Sequence, residues 1–189
     1  MRNFILGVLV TLAILILGGL GAALLGFIPT NANATPPRLE THLAMSAVDA
    51  STEHRAPRIT SPVLPSAENL IDGMKIYTMN CAGCHGTLDM KPSTFGRSFY
   101  PPAPHLVQHP PDDPEWFNYY IVRNGIRYTG MPAWDKTLSD QDIWKVTLLL
   151  SHMEKLPAAA QDYWKNAFGV PPPGGASEHG EHQEQEEHH

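Results

Sequence analysis

Cys81-Ala82-Gly83-Cys84-His85 is the stretch on which the reading of this 189-residue chain turns. It holds the chain's only two cysteines, three positions apart, with a histidine directly after the second. Two cysteines exclude a multi-disulfide scaffold and a four-cysteine zinc site. A redox C-x-x-C pair belongs in a βαβ setting, and no alternating strand pattern stands out here. The surroundings read as helix instead. Upstream, Ser66 is a candidate N-cap with Glu68 in the first turn, and Leu70, Met74 and Tyr77 recur at helical spacing. Downstream, 86–112 is rich in proline and glycine without periodicity and reads as loop. A second helix is expected to open with Asp113 as cap and Pro114 at its first position, and to stop at Gly125. A third opens at Ser139 and Asp142 in capping-box spacing, with Ile143, Val146 and Leu150 on its apolar face. Pro157 ends it or opens a last short helix, Ala158 to Phe168, with Gly169 at its end. The fold class expected is all-α.

C-x-x-C-H is the attachment signature of c-type haem. Two thiols at this spacing on a helix end reach the two vinyl groups of one porphyrin and form thioethers, and the adjacent imidazole lies under the iron as its proximal ligand. A loop as long as 86–112 is unusual in a compact head unless it wraps something large and apolar, and a haem is such an object. The metal ligands expected are therefore His85 and a second axial group. Met131, in Gly130-Met131-Pro132, lies far enough beyond His85 for the chain to cross the haem edge. A soft thioether there favours ferrous iron. Met74, Met79, Met90 and Met153 are placed for packing or for the proximal side, and Met45 lies outside the head. His105 and His109 are the rival sixth ligands. Arg127, Trp134, Tyr128 and Arg97 are candidate hydrogen-bond donors to haem propionates.

From Asp72 to about Met153 the chain resembles a class I monohaem cytochrome c. Gly73 and Tyr77 are similar to the family's glycine-and-aromatic pair on the first helix. That resemblance implies close crossing with the helix at 139–153, met by Trp144 and Leu148. Pro104-His105-Leu106 resembles the family's P-x-L. It implies that the Pro104 carbonyl accepts the proximal histidine's N–H and that Leu106 covers the haem, with Pro101 and Pro92 as alternatives for the proline. Gly130-Met131-Pro132 resembles the distal methionine turn. The resemblance implies a small helical domain wrapped around one covalent haem c, carrying single electrons rather than making bonds.

The rest of the chain organises itself around that head, expected at 66–170. Phe4 to Ile28 is a 25-residue run without charge. As a helix it would be ~37 Å long, enough to span a bilayer with some tilt. Arg2 and the amino terminus would stay cytoplasmic, placing the haem domain on the periplasmic or extracytoplasmic side of the inner membrane as a single-pass protein. Ala32-Asn33-Ala34 offers a cleavage site for the alternative of a signal peptide. Residues 29–65 are read as a proline-rich linker. Residues 171–189 carry five glutamates, no lysine or arginine, and four histidines, and read as a disordered acidic tail. The net charge of −6 excludes a strongly basic nucleic-acid binder. The partners expected are a membrane quinol-oxidising complex or dehydrogenase as donor and a terminal oxidase or reductase as acceptor, with the chain either free or a subunit of a larger complex. The competing expectation is a haem-based ligand sensor or peroxidase-like enzyme with a labile sixth ligand.

Overall fold

The computed structural model describes residues 1–174. The acidic, histidine-rich sequence from residue 175 lies outside the described residues. Seven α-helices and one 3-10 turn make up the described chain, with no strand among them. They fall into two compact units, Met1–Ala32 and the part beginning at Asn33.

The first unit is α1 (Arg2–Leu24), none of whose residues is buried. It is the one described helix long and apolar enough to cross a membrane. Its 23 residues give a length of about 34 Å at 1.5 Å per residue, against a hydrocarbon core of about 30 Å. The helix stops four residues short of Ile28, before a turn with Gly26 at positive φ.

The second unit opens with a departure from the sequence reading. The segment expected to be a linker contains an 18-residue helix, α2 (Arg38–Arg55). It packs against α5 (Glu115–Asn124) and buries Thr52, while Ala56 just beyond it is also buried. Only a narrow strip of α2 is covered, and Leu39 and Leu43 remain exposed. An apolar period is weak when so little of a helix meets the core, so the prolines at either end dominated the pattern.

The core is built on α3 (Ala67–Asn80) and α6 (Asp140–His152), which share the most extensive helix contact, with α5 against α6 and α7 (Ala158–Phe168) against α3. Ser66 and Ser139 cap α3 and α6 as expected, their hydroxyls accepting from the Asn69 and Asp142 N–H groups at 3.3 and 3.1 Å. Ser139 also donates to the Asp142 carboxylate at 2.7 Å. Gly169 closes α7 in the left-handed conformation. At α5 the start shifts by one position. Pro114 stands in the cap place, and the Asp113 carbonyl accepts from the Asn118 side chain at 2.9 Å.

Leu70, Met74, Tyr77, Ile143, Leu149 and Trp164 are fully buried between these helices. Each such side chain contributes roughly 1.5–3 kcal/mol on leaving water. Tyr119 on α5 stacks on Trp144 of α6, with ring centroids 4.0 Å apart. The helices cross where a Cβ on Gly73 would sit 2.5 Å from the Lys145 carbonyl oxygen and 3.1 Å from Leu149 Cβ. The groups meeting Gly73 are thus Lys145 and Leu149, one residue beyond the expected Trp144 and Leu148. Trp144 instead faces Tyr119. Asp72 clasps the same crossing, accepting from Lys145 at 2.8 Å and Lys75 at 3.0 Å.

Two outcomes test this hub. Gly73→Ala forces a methyl into a backbone oxygen, so the helices must part, and unfolding followed by circular dichroism should show a loss of about 1–3 kcal/mol. The hydrogen bonds from Lys145 and then Lys75 hold the Asp72 carboxyl below the ordinary carboxylate range. A depressed acid stabilises the fold above its unfolded pKa, and that stabilisation is lost as pH falls through the folded value. Thermal midpoints of Asp72→Asn should lie below wild type at neutral pH and converge with it in acid.

Candidate functional site

The motif sits where α3 ends. Cys81 closes α3, and α4 (Ala82–His85) follows as a single helical turn. One turn places residues three and four apart on the same side, so Cys81, Cys84 and His85 share a face. Both thiols are free and partly buried. Burial, with Cys84 nearby, pushes the Cys81 thiol up to about 12, so it stays protonated at neutral pH.

Three residues hold the turn by its carbonyls. The fully buried Tyr77 donates its hydroxyl to the Gly86 carbonyl at 2.9 Å and to that of His85 at 3.2 Å. Leu106 N–H donates to the His85 carbonyl at 3.2 Å. Ser93 donates to the Gly83 carbonyl at 2.5 Å and accepts from Gly96 N–H at 2.8 Å. A Cβ on Gly96 would overlap the Cys84 carbonyl oxygen, so only glycine lets the 3-10 turn Gly96–Ser98 lie on the motif.

His85 Nδ1 lies 2.9 Å from the Pro104 carbonyl oxygen. An acceptor there requires the Nδ1–H tautomer and leaves the Nε2 lone pair free for a metal. Of the three prolines considered, Pro104 is therefore the one in contact. Burial lowers the imidazole's pKa and the Pro104 hydrogen bond raises it, with burial the larger effect. The neutral, ligating form is favoured. His105, by contrast, packs its ring against Gly86, which has φ 86, so that a Cβ there would meet His105 Nε2 at 2.6 Å. Its Nδ1 accepts from Gln108 N–H at 3.1 Å. His105 thus packs beside Gly86, the residue that follows His85. His109 is exposed.

The loop after α5 carries Met131. Thr129 organises it, donating to the Ile126 carbonyl at 2.8 Å and accepting from Met131 N–H at 3.1 Å. Ile126 N–H donates to the Met131 carbonyl at 3.1 Å, and Trp134 N–H to the Val122 carbonyl at 3.3 Å. Met131, Leu106, Trp134, Met90 and Cys81 are partly buried against the core. Arg127, Tyr128 and Arg97 are exposed. Sequence reasoning did not single out Thr129, Ser93 or Gly96, because a loop serine, threonine or glycine has no periodicity to mark it. Tyr77 was marked by its place on the α3 face and in the glycine-and-aromatic pair, but neither signal shows its hydroxyl closing on the turn.

This donor set fits a haem. It offers two thiols on one turn, an imidazole with Nε2 free of a hydrogen bond and a thioether on a hydrogen-bonded loop, with Leu106, Met90 and Trp134 partly buried against the core. Among the described residues no cluster of histidine, cysteine and carboxylates could hold a bare metal ion.

Residues 68–150 match the family model described as cytochrome C oxidase, cbb3-type, subunit III. No curated protein matches the chain. Among solved structures it is similar to one described as the Kuenenia stuttgartiensis reducing HAO-like protein complex Kustc0457/Kustc0458. The identity is 22% and the TM-score 0.36, over 53% of this chain. The chain spans about half that relative's length, 52%.

If Thr129 sets the methionine loop, Thr129→Val removes both of its hydrogen bonds at a cost of about 1–3 kcal/mol. Haem attachment should be unchanged, while the far-red sulfur-to-iron band of the oxidised protein weakens.

Proposed function

From the cytochrome c-type domain that residues 68–150 form, we propose that this chain is a membrane-tethered carrier of single electrons between respiratory complexes, or the haem c subunit of one. The domain implies one covalent haem c and an electron-carrying role. The observation that carries the reading furthest is the C-x-x-C-H turn with its histidine ring fixed to the Pro104 carbonyl. When bound, haem supplies a one-electron ferric/ferrous couple.

The chain's own residues account for the rest. Cys81 and Cys84 anchor the group on a turn that Tyr77, Ser93 and Leu106 hold rigid. His85 presents Nε2 in an orientation set by Pro104 and would hold the iron, with Met131 offering a thioether as second ligand. Iron held by both would change charge without gaining or losing a ligand, and the soft sulfur would raise the potential. Leu106 and Trp134 limit water at the site, and Arg127 and Trp134 are the donors available for propionates. The helix α1 supports a single-pass anchor, with Arg2 on the cytoplasmic side and the head beyond the membrane. The donor is then a quinol-oxidising complex or dehydrogenase, and the acceptor a terminal oxidase or reductase. The matched family's description as an oxidase subunit supports the form in which the chain stays within one complex.

The membrane-extracted protein should weigh the full chain plus one haem. Its ferrous form should resist carbon monoxide. Met131→Ala should bind carbon monoxide rapidly and lower the potential by on the order of 0.1 V, well inside the ~0.8 V range that axial ligands command. Rapid binding by the wild type would favour a sensor or peroxidase-like enzyme instead.

A further inference from the structure

The helix α2 is held to the head by little. Its contact face is one narrow strip: the half-buried Val48, the buried Thr52 and, just past its end, the buried Ala56. Leu39, Leu43 and Met45 stay exposed. Such a strip offers little to offset the ordering of 18 residues. Thr41, Ser46, Val48, Ser51 and Thr52 are weak helix formers, and a helix of this length is marginal alone in water. The shape of α2 therefore depends on its staying docked.

Two polar ties add to the strip, and both are exposed. Tyr100 donates to Glu40 at 2.8 Å, near the start of α2. Arg58, three residues past its end, donates to Glu53 at 2.7 Å and stands over the Trp116 ring, 5.2 Å from its centroid. Exposed ties of this kind contribute little.

Charge works against the joint. Asp49 and Glu53 stand on α2, and Asp112 and Asp113 lie just before α5. Partial burial, then the charges of Asp112, Asp49 and Glu53, push the Asp113 carboxyl above its ordinary value, and no basic side chain counters them. The carboxylates of Asp49, Asp112 and Asp113 have no ion pair or hydrogen bond among the described residues. The other charges around the joint are spoken for or turned to water. Arg58 is engaged with Glu53, His54 and Arg55 are exposed and unpaired, and Glu115 of α5 faces His152 of α6 at 3.9 Å.

We propose that α2 is a releasable strap, docked on α5 while the carboxylates at their junction are protonated and let go as they ionise. Release lengthens the chain between the apolar helix and the head. Docked, residues 25–37 alone separate α1 from α2, and a flexible chain of that length spans about 20 Å. Released, α2 adds its own 18 residues, which takes the span to about 30 Å. The sense of the response follows from linkage. An acid held above its ordinary value of about 3.9 stabilises docking fully below that value, and the contribution is lost as pH rises through the raised one. Acid thus shortens the tether and neutral pH lengthens it. The Asp72 clasp between α3 and α6 responds in the opposite sense, so the two are separable. The consequence for reach rests on the membrane-tethered carrier reading above; the docking itself does not.

The test is hydrogen exchange on the full-length chain in nanodiscs, with intrinsic rates corrected for pH. Between pH 4 and pH 7, protection of peptides within α2 should fall by roughly two- to fivefold, the scale on which exposed charges act. Peptides within α6 should show no such fall. Asp112→Asn with Asp113→Asn should leave α2 as protected at pH 7 as the wild type is at pH 4. Protection of α2 that is flat or rises with pH overturns the proposal. A fall shared by α6 overturns it too, because the whole head is then opening, and so does a double variant that tracks the wild type. The intact mass of the same sample counts the haem. A chain that shows the α2 response but carries no haem sinks the carrier reading and leaves the strap standing. A haem-bearing chain without the response sinks the strap alone.

Discussion

The contact between His85 Nδ1 and the Pro104 carbonyl oxygen organises the head. It joins the end of a helical turn to a residue 19 positions further along an irregular loop. Without it the imidazole could rotate or take the other tautomer, and Nε2 would be neither free nor held in one direction. The nearby contacts act in support. Leu106 returns a backbone hydrogen bond to His85, Tyr77 closes on the carbonyls of His85 and Gly86, and Gly96 lets the loop lie on Cys84. The carbonyls of Gly83, His85 and Gly86 each accept from a group fixed elsewhere, so the turn, the loop and α3 constrain one another.

The second constraint is distance. The helices α3 and α6 approach until only a hydrogen fits between Gly73 and the Lys145 carbonyl. That approach brings Leu149 and Met74 into one buried layer and sets the end of α3, hence the position of Cys81. Asp72 and its two lysines add a pH-sensitive clasp at the rim, exposed enough that salt screens part of it. The helix α2 joins this frame from outside, covering part of α5, while Glu40 near its start accepts from Tyr100 in the haem-motif loop. A segment that composition marks as a spacer is thereby part of the head.

The His85 turn and the Met131 loop differ in how they are built. On the His85 side, the residues belong to or touch a helix end, and rigidity comes from the core. On the Met131 side, a short loop is held by Thr129 and by backbone bonds to Val122 and Ile126. Loops of this kind carry function because a rigid scaffold presents them. The strained, exposed Tyr128 lies on that side, where the chain has room for a residue that serves no packing role.

The sequence by itself determined what depends on covalent chemistry and on local periodicity. The spacing of Cys81, Cys84 and His85 specifies the cofactor, because thioether attachment needs two thiols one helical turn apart. Ser66, Ser139 and Gly169 mark helix ends because capping involves only residues three or four apart. The tertiary structure decided what depends on distant segments meeting. It selected Pro104 over Pro92 and Pro101, put His105 beside Gly86, moved the Gly73 contact to Lys145 and Leu149, and folded α2 onto the head. These outcomes depend on where backbone carbonyls and helix faces come to lie once the core has packed, and a linear pattern does not carry that distance.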